Sequence, residues 1–300
     1  MARPFPPCPG VRHEFVEVAT GLRMHVALAG PEDGPPVLLL HGWPQHWWCW
    51  RGVIPAFAEA GYRVIAPDLR GAGWTDVPEG GYEKEQFASD VLALLDALGV
   101  ERCAFLGHDW GAWTGQLMAL REPALFSRMV LCNIPPVWPP SGRLQVAANA
   151  WRLSYQVVGT PLLGPAFQRS RGMNRVYEGI PPEHRGPFRD AFKERERAVA
   201  GSKYYSTFVT RELPELLRDR YAGRRLRPPL LVLHGTADPV IRPFQVEDFR
   251  LHADRVEIEW VHGSGHFVVD EQPELVAERA LAFLGADGSG ARSGPPATTT

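Results

Sequence analysis

The chain has 300 residues, 45% of them apolar, which fits either two domains or one large α/β domain carrying an insertion, with a substantial core. Its 32 basic and 34 acidic residues leave a net charge of −2, so it lacks the broad positive field that nucleic-acid or anionic-membrane binding draws on. With 10 Trp, 14 Phe and 7 Tyr, it has many bulky side chains that need a core or an apolar pocket. Cys8, Cys49, Cys103 and Cys132 are far apart and form no CxxC pair, so they read as reduced thiols. No apolar run has the ~18 residues of a membrane span, and the Pro-rich start lacks a secretory apolar segment. Together these lead to the expectation of a cytoplasmic protein with no nucleic-acid or membrane partner, as a monomer or a homodimer.

In chain order, residues 1–10 form a Pro-rich lead expected to be disordered. Strand-like runs follow at 14–18, 23–29, 36–40, 63–66, 102–106 and 128–132, with helical periodicity at 50–60, 84–98 and 110–121. The alternation breaks at Pro135, where clustered prolines block both helix and interior strand, and it resumes at Pro228 and Pro229. Strands are then expected at 230–233 and 256–261, and helices at 243–251 and 273–284. This is an α/β pattern predicting a mostly parallel eight-stranded sheet with flanking helices. The segment 135–227 has helical spacing at Val146, Ala150, Leu153 and Val157, and reads as a helical cap inserted into a core made of 11–134 and 228–284. Ligands of open α/β sheets bind beyond the carboxyl ends of the strands, which is where such an insertion would lie. The small-residue tail, 285–300, is expected to be disordered.

Gly107-His108-Asp109-Trp110-Gly111 follows an apolar strand and opens a helix, with a glycine two residues before and two after a carboxylate. A strained strand-turn-helix elbow has this pattern, because a side chain at either glycine would collide with the neighbouring strand or helix. An ordinary turn with an N-capping aspartate shares it. The distinction comes from Asp238, which ends the strand-loop Leu233-His234-Gly235-Thr236-Ala237-Asp238, and from His266 in Gly265-His266-Phe267. Carboxylate, acid and histidine then stand in the chain order of a hydrolytic triad.

With His41-Gly42-Trp43-Pro44 and Asp68-Leu69-Arg70-Gly71 added, five motifs over residues 15–284 resemble the α/β-hydrolase superfamily, in its epoxide hydrolase and haloalkane dehalogenase branch. The resemblance implies the α/β-hydrolase fold and hydrolysis of an apolar epoxide to a vicinal diol. It makes Asp109 the nucleophile, with His266, supported by Asp238, activating water to cleave the resulting ester. Backbone N–H groups of Trp43 and Trp110 would form the oxyanion hole. Two cap tyrosines would protonate the epoxide oxygen, and separation along the chain from Asp109 and Asp238 assigns these to Tyr155 and Tyr205. Tyr204 stays open, because neighbouring helical residues point ~100° apart. His41, Pro44, Trp138, Trp151, Tyr204 and Phe267 are candidate pocket residues, although His41 also reads as a structural hydrogen-bonding group.

An acid after the strand ending at Cys132 would need a carboxylate near Asn133, and Asn133 is not one. Asp270 and Glu271 are expected to cap and start the last helix, and Asp68 with Arg70 to form a structural loop. No metal and no nucleotide cofactor is expected: glycines separate His262 from His266, and Gly71-Ala72-Gly73 lacks a third glycine of a dinucleotide loop. Haloalkane dehalogenation with the same triad remains the alternative, with Trp110 and Trp138 or Trp151 as halide donors. A non-catalytic ligand receptor on the same fold is a further one.

Overall fold

The computed structural model describes residues 3–142, 158–161 and 163–285. An eight-stranded sheet runs through it in the order β1-β2-β4-β3-β5-β6-β7-β8. Its strands are β1 (Arg12–Val18), β2 (Leu22–Ala29), β3 (Pro36–Leu40), β4 (Arg63–Pro67), β5 (Cys103–His108), β6 (Phe126–Cys132), β7 (Leu230–Gly235) and β8 (Val256–Val261). β2 is antiparallel to both its neighbours, and the remaining pairings are parallel. Helices on both faces explain why β3 and β5 read as unbroken apolar runs: the last four residues of β3 and all of β5 are buried. One of those helices, Trp110–Arg121, is buried along its whole length except at Arg121.

Strand order places the site. From β3 the chain steps outward to β4, then returns to β5 on the other side of β3. The loops leaving β3 and β5 therefore diverge and open a crevice at their carboxyl ends, the usual ligand position in such sheets. Leu40 pairs with Gly107, His108 with Cys132, Cys132 with Leu233 and Gly235 with Val261, so five neighbouring strands end close together. Trp43, Asp109, Asn133, Asp238 and His266 all follow these ends.

Between β6 and β7 the described chain is helical: Leu163–Gln168, Met173–Val176, Arg185–Ala191, Arg195–Thr207 and Leu213–Leu217, with a π-helical stretch at Phe208–Glu212. Much of its polar contact with the sheet side uses backbone carbonyls. Arg197 donates to the carbonyls of Ala72 and Thr75 at 3.1 and 2.8 Å, and the Tyr204 hydroxyl to that of Arg70 at 2.7 Å.

Three expectations need correction. Residues 3–10 are not a disordered lead: Phe5 stacks on His13 at 3.9 Å, Pro6 is buried, and the carbonyls of Pro7 and Arg3 accept from the Trp48 and Trp74 indoles. Prolines disfavour regular structure but pack well as an extended strap. The helix expected at 50–60 divides into a 3₁₀ segment, Trp47–Gly52, and an α-helix, Ile54–Glu59, with proline in its first turn. That expected at 243–251 divides at Asp248, whose carboxylate is drawn to the backbone N–H and hydroxyl of Ser141. The tail beyond residue 285 lies outside the described residues.

Asp68, just past β4, ties this end of the sheet together. Fully buried, it accepts from the Trp47 N–H at 2.8 Å, the Trp74 N–H at 2.9 Å and His25 Nδ1 at 2.7 Å. Burial alone would raise its carboxyl pKa, but His25 together with His46 and His41 outweighs burial and holds it far below the ordinary range. An Asp68→Asn variant would turn an amide donor toward these donors and lose about 3 kcal/mol of unfolding free energy at neutral pH. Because the folded pKa is depressed, the contribution is present above the unfolded value of about 4 and fades as pH falls below it. Urea titrations of the two proteins should therefore converge in acid.

Candidate active site

Asp109 sits where β5 turns into the helix Trp110–Arg121, with φ at 51°, a left-handed conformation unusual for a residue with a side chain. The flanking glycines make the turn possible. A Cβ on Gly107 would lie 2.6 Å from the Ala112 Cα, and one on Gly111 would lie 2.2 Å from the Leu40 carbonyl oxygen. Gly42 has a similar role across the crevice, since a Cβ there would come within 2.3 Å of Asp109 Oδ1. With that space open, the Trp43 N–H donates to Asp109 Oδ1 at 2.9 Å, and the Trp110 N–H also hydrogen-bonds the carboxylate.

The other carboxylate oxygen, Oδ2, lies 3.6 Å from His266 Nε2. His266 Nδ1 in turn donates to Asp238 Oδ2 at 2.9 Å, while Asp238 Oδ1 accepts from the Val240 and Ile241 N–H groups at 2.7 and 3.0 Å. Sequence reasoning used Asn133 only to exclude an acid at that position. The structure turns its amide onto Asp238 Oδ2 at 2.8 Å and onto the Gly265 carbonyl at 3.1 Å, so it braces both the acid and the histidine loop. His108 braces that loop too, its Nε2 donating to the His266 carbonyl at 2.8 Å.

Asp270 and Glu271 do not start the last helix, which begins at Pro273. They form a separate turn, Val268–Glu271, in which the Glu271 carboxylate accepts from Gly265 N–H, Phe267 N–H and the Ser264 hydroxyl. Asp270 is taken by Arg51 at 2.6 Å and by Gln45. An acid a few residues after a loop histidine is ambiguous in sequence, because it can face forward to a helix or back to the loop.

The charges are coupled. Burial by itself pushes the His266 imidazole down, but Asp238 and then Asp109 outweigh it and raise its pKa to about 10. Burial would likewise raise both carboxyls, and the contacts with His266 bring both below the ordinary range, helped at Asp238 by Asn133. The resting arrangement is thus carboxylate, imidazolium, carboxylate. His108, beside that imidazolium, is held down to about 4 by burial and by His266.

A cavity of about 570 Å³ opens over Asp109 and His266, within the range of small-molecule sites. Its described wall is largely apolar and includes Trp43, Trp110, Trp113, Trp138, Phe208 and Phe267. Tyr205 borders it, edge-on to Trp43 at 5.1 Å and to Trp110 at 5.6 Å. Tyr204 does not: its ring packs on Phe87 at 4.7 Å and its hydroxyl is bound to the Arg70 carbonyl, so of the two neighbours it is Tyr205 that faces the cavity. His41 and Pro44 do not border the cavity either. Both ring nitrogens of His41 are used, by the Gly42 carbonyl and the Leu69 N–H, and Pro44 faces a smaller crevice because the chain turns back between Gly42 and Gln45. Tyr155 and Trp151 lie outside the described residues. Among the described residues, no group of three His, Cys, Asp or Glu side chains could hold a metal ion, and no helix is long and apolar enough to cross a membrane.

Known proteins share these features. The sequence profile of the alpha/beta hydrolase fold matches residues 35–273, and a soluble epoxide hydrolase from Corynebacterium sp. (strain C12) is 32% identical over 88% of this chain and 94% of its own. The ligand-free structure of epoxide hydrolase CorEH superposes with a TM-score of 0.79 at 29% identity, covering 92% of this chain and 99% of that one. That of an epoxide hydrolase from Vigna radiata does so with 0.80 at 25%, covering 94% and 100%. The chain belongs to the α/β-hydrolase fold family. Within that family it is a hydrolase of the epoxide hydrolase type.

The electrostatics can be read directly. In an NMR titration, the His266 imidazole should stay protonated through neutral pH and titrate near 10. In Asp109→Asn it should titrate lower, because one of the two carboxylates that raise it is gone while burial remains. A titration unchanged by that substitution would show that the two groups are uncoupled.

Proposed function

We propose that the protein hydrolyses an apolar epoxide to a vicinal diol in two steps through an ester on Asp109. The observation that carries this reading is the division of labour between the oxygens of Asp109. Oδ1 accepts the Trp43 main-chain N–H, while Oδ2 stands beside His266 at the floor of the cavity. As an anion at neutral pH, Asp109 needs no base to attack carbon. Oδ2 bonds to a ring carbon, the ring C–O bond breaks, and the alkoxide takes a proton from Tyr205, with Tyr155 proposed as the second phenol. Oδ1 has then become the ester carbonyl, already polarised by the Trp43 N–H, which together with that of Trp110 would stabilise the oxyanion when water adds.

The same step changes the base. Once alkylated, Asp109 no longer carries the charge that helps keep His266 protonated, and burial then favours the neutral ring. His266 releases its proton to solvent, and as a neutral imidazole oriented by Asp238 it takes a proton from water attacking the Asp109 carbonyl carbon. Collapse frees the diol, whose leaving oxygen takes the second proton of the water, and restores the carboxylate, while the Tyr205 phenolate regains a proton from solvent equal to the one His266 released. The helical segment between β6 and β7 serves as the cap in this scheme, supplying Tyr205 and closing the apolar wall.

The indole groups divide on halide release. Trp138 Nε1 donates to the Tyr221 carbonyl at 2.9 Å, and Trp43 Nε1 to Gln168 Oε1 at 3.0 Å. Neither of these is available to a leaving halide, whereas Trp110 Nε1, in the cavity wall, has no hydrogen-bond partner among the described residues, and Trp151 lies outside them.

Intact-mass spectrometry of His266→Gln, incubated with styrene oxide or cyclohexene oxide and separately with bromoalkanes, distinguishes the readings. The expected result is a mass gain equal to the whole epoxide, localised to Asp109 and absent in Asp109→Asn. A gain of the alkyl group from bromoalkanes, with none from epoxides, would establish dehalogenation instead. Wild-type turnover unaffected by Asp109→Asn would favour a non-catalytic receptor.

A further inference from the structure

Lys84 is one of only three lysines in the chain and opens the helix Lys84–Ala97, a position where a charged side chain ordinarily reaches solvent. Instead it is 0% exposed. Its ammonium donates to Glu212 Oε2 at 2.9 Å and to the Tyr204 carbonyl, and lies 4.4 Å from the centre of the Trp110 ring. Glu212 reciprocates with its other oxygen, accepting the Lys84 backbone N–H at 2.8 Å. Burial lowers the lysine pKa, and Glu212 opposes that shift.

These contacts span an irregular piece of backbone. The helix Arg195–Thr207 carries Tyr204 and Tyr205, and continues through the π-helical stretch Phe208–Glu212 into Leu213–Leu217. A π-helical stretch changes the phase of a helix, so the rotation of the residues on either side has to be fixed by outside contacts. Lys84 makes those contacts on both sides, to the Tyr204 carbonyl before the stretch and to the Glu212 carboxylate at its end. Phe208, inside the stretch, packs on Trp110 at 5.0 Å, and Tyr205 packs on the same indole. Buried ion pairs add little net stability compared with apolar side chains, and their best-attested use is to fix register.

We propose that Lys84 is a positioning residue for epoxide ring opening: by clamping both sides of the π-helical stretch to the core, it fixes the rotation that presents Tyr205 to the ring oxygen and holds the Trp110 wall beside it. The proposal rests on the reading of Tyr205 as the proton donor. It predicts an effect confined to the first half-reaction, because Asp109, His266 and Asp238 are carried by other elements.

The test measures ester formation and ester decay separately, by rapid-quench mass analysis with styrene oxide or cyclohexene oxide, in Lys84→Met, Tyr205→Phe and the double variant. Lys84→Met should slow ester formation about tenfold, a fraction of the ~100-fold loss a 1 Å misplacement can cause, and leave ester decay within about twofold. In the Tyr205→Phe background it should have no further effect on ester formation. Equal slowing of both half-reactions, or the same loss with and without the Tyr205 hydroxyl, would overturn the proposal. Glu212→Gln keeps an oxygen for the Lys84 N–H but removes the countercharge, and should shift ester formation in the same direction; it serves in the cycle if Lys84→Met does not fold. If Tyr205→Phe leaves ester formation unchanged, the tyrosine reading fails and the proposal with it. A normal loss in Tyr205→Phe beside an unaffected Lys84→Met removes Lys84 alone.

Discussion

The site is organised by the cost of holding two carboxylates, Asp109 and Asp238, out of water beside a single imidazole. A buried anion persists only if donors replace its hydration. Each donor here comes from a loop that leaves the carboxyl end of a parallel strand: Trp43 after β3, Trp110 after β5, Asn133 after β6, Val240 and Ile241 after β7, and His266 after β8. The aligned strand ends are therefore part of the electrostatics. A slip in register between β5 and β7 would separate charges from the N–H groups that make them tolerable.

The same requirement explains the strain at Asp109. A relaxed backbone would carry the carboxylate away from the Trp43 N–H, and the positive φ turns it across the crevice instead. The glycines at 42, 107 and 111 make that geometry possible, since each has a neighbouring atom where a Cβ would stand. Asn133 is another non-glycine residue held at positive φ, 47°, and it too is bent so that its side chain reaches Asp238. Two of the three described non-glycine residues at positive φ are thus Asp109 and the residue that braces Asp238, where dense packing and hydrogen bonding can hold the strain.

Much of this was legible in sequence. The strands emerge nearly where the apolar runs put them, because strands covered on both faces leave an unbroken signal, and the elbow glycines mark Asp109 by a steric need that only glycine meets. What could not be read depends on contacts distant in sequence or on helical phase. Asn133 looks like the absence of an acid until the fold brings it to Asp238, more than a hundred positions away. The choice between Tyr204 and Tyr205 turns on a rotation that the following π-helical stretch disturbs. Nothing in the sequence marks Lys84 as buried, and its burial follows from the arrival of Glu212 from the segment between β6 and β7. The Pro-rich lead packs against the core instead of being disordered, because composition reports the loss of regular structure and is silent on packing.

The coupling of the buried charges also imposes an order on the proposed chemistry. While Asp109 is ionised, His266 is held as an imidazolium and cannot act as a base, so it cannot activate water before an ester exists. Alkylation removes the charge that held the proton, and the base becomes available when there is an ester to cleave. Restoring the carboxylate captures a proton again and resets the site. A Ser-His-Asp site needs its base for the first step and keeps the histidine neutral at rest. With an aspartate nucleophile the base is needed only for the second step, so the strong pairing that suppresses it at rest is compatible with turnover.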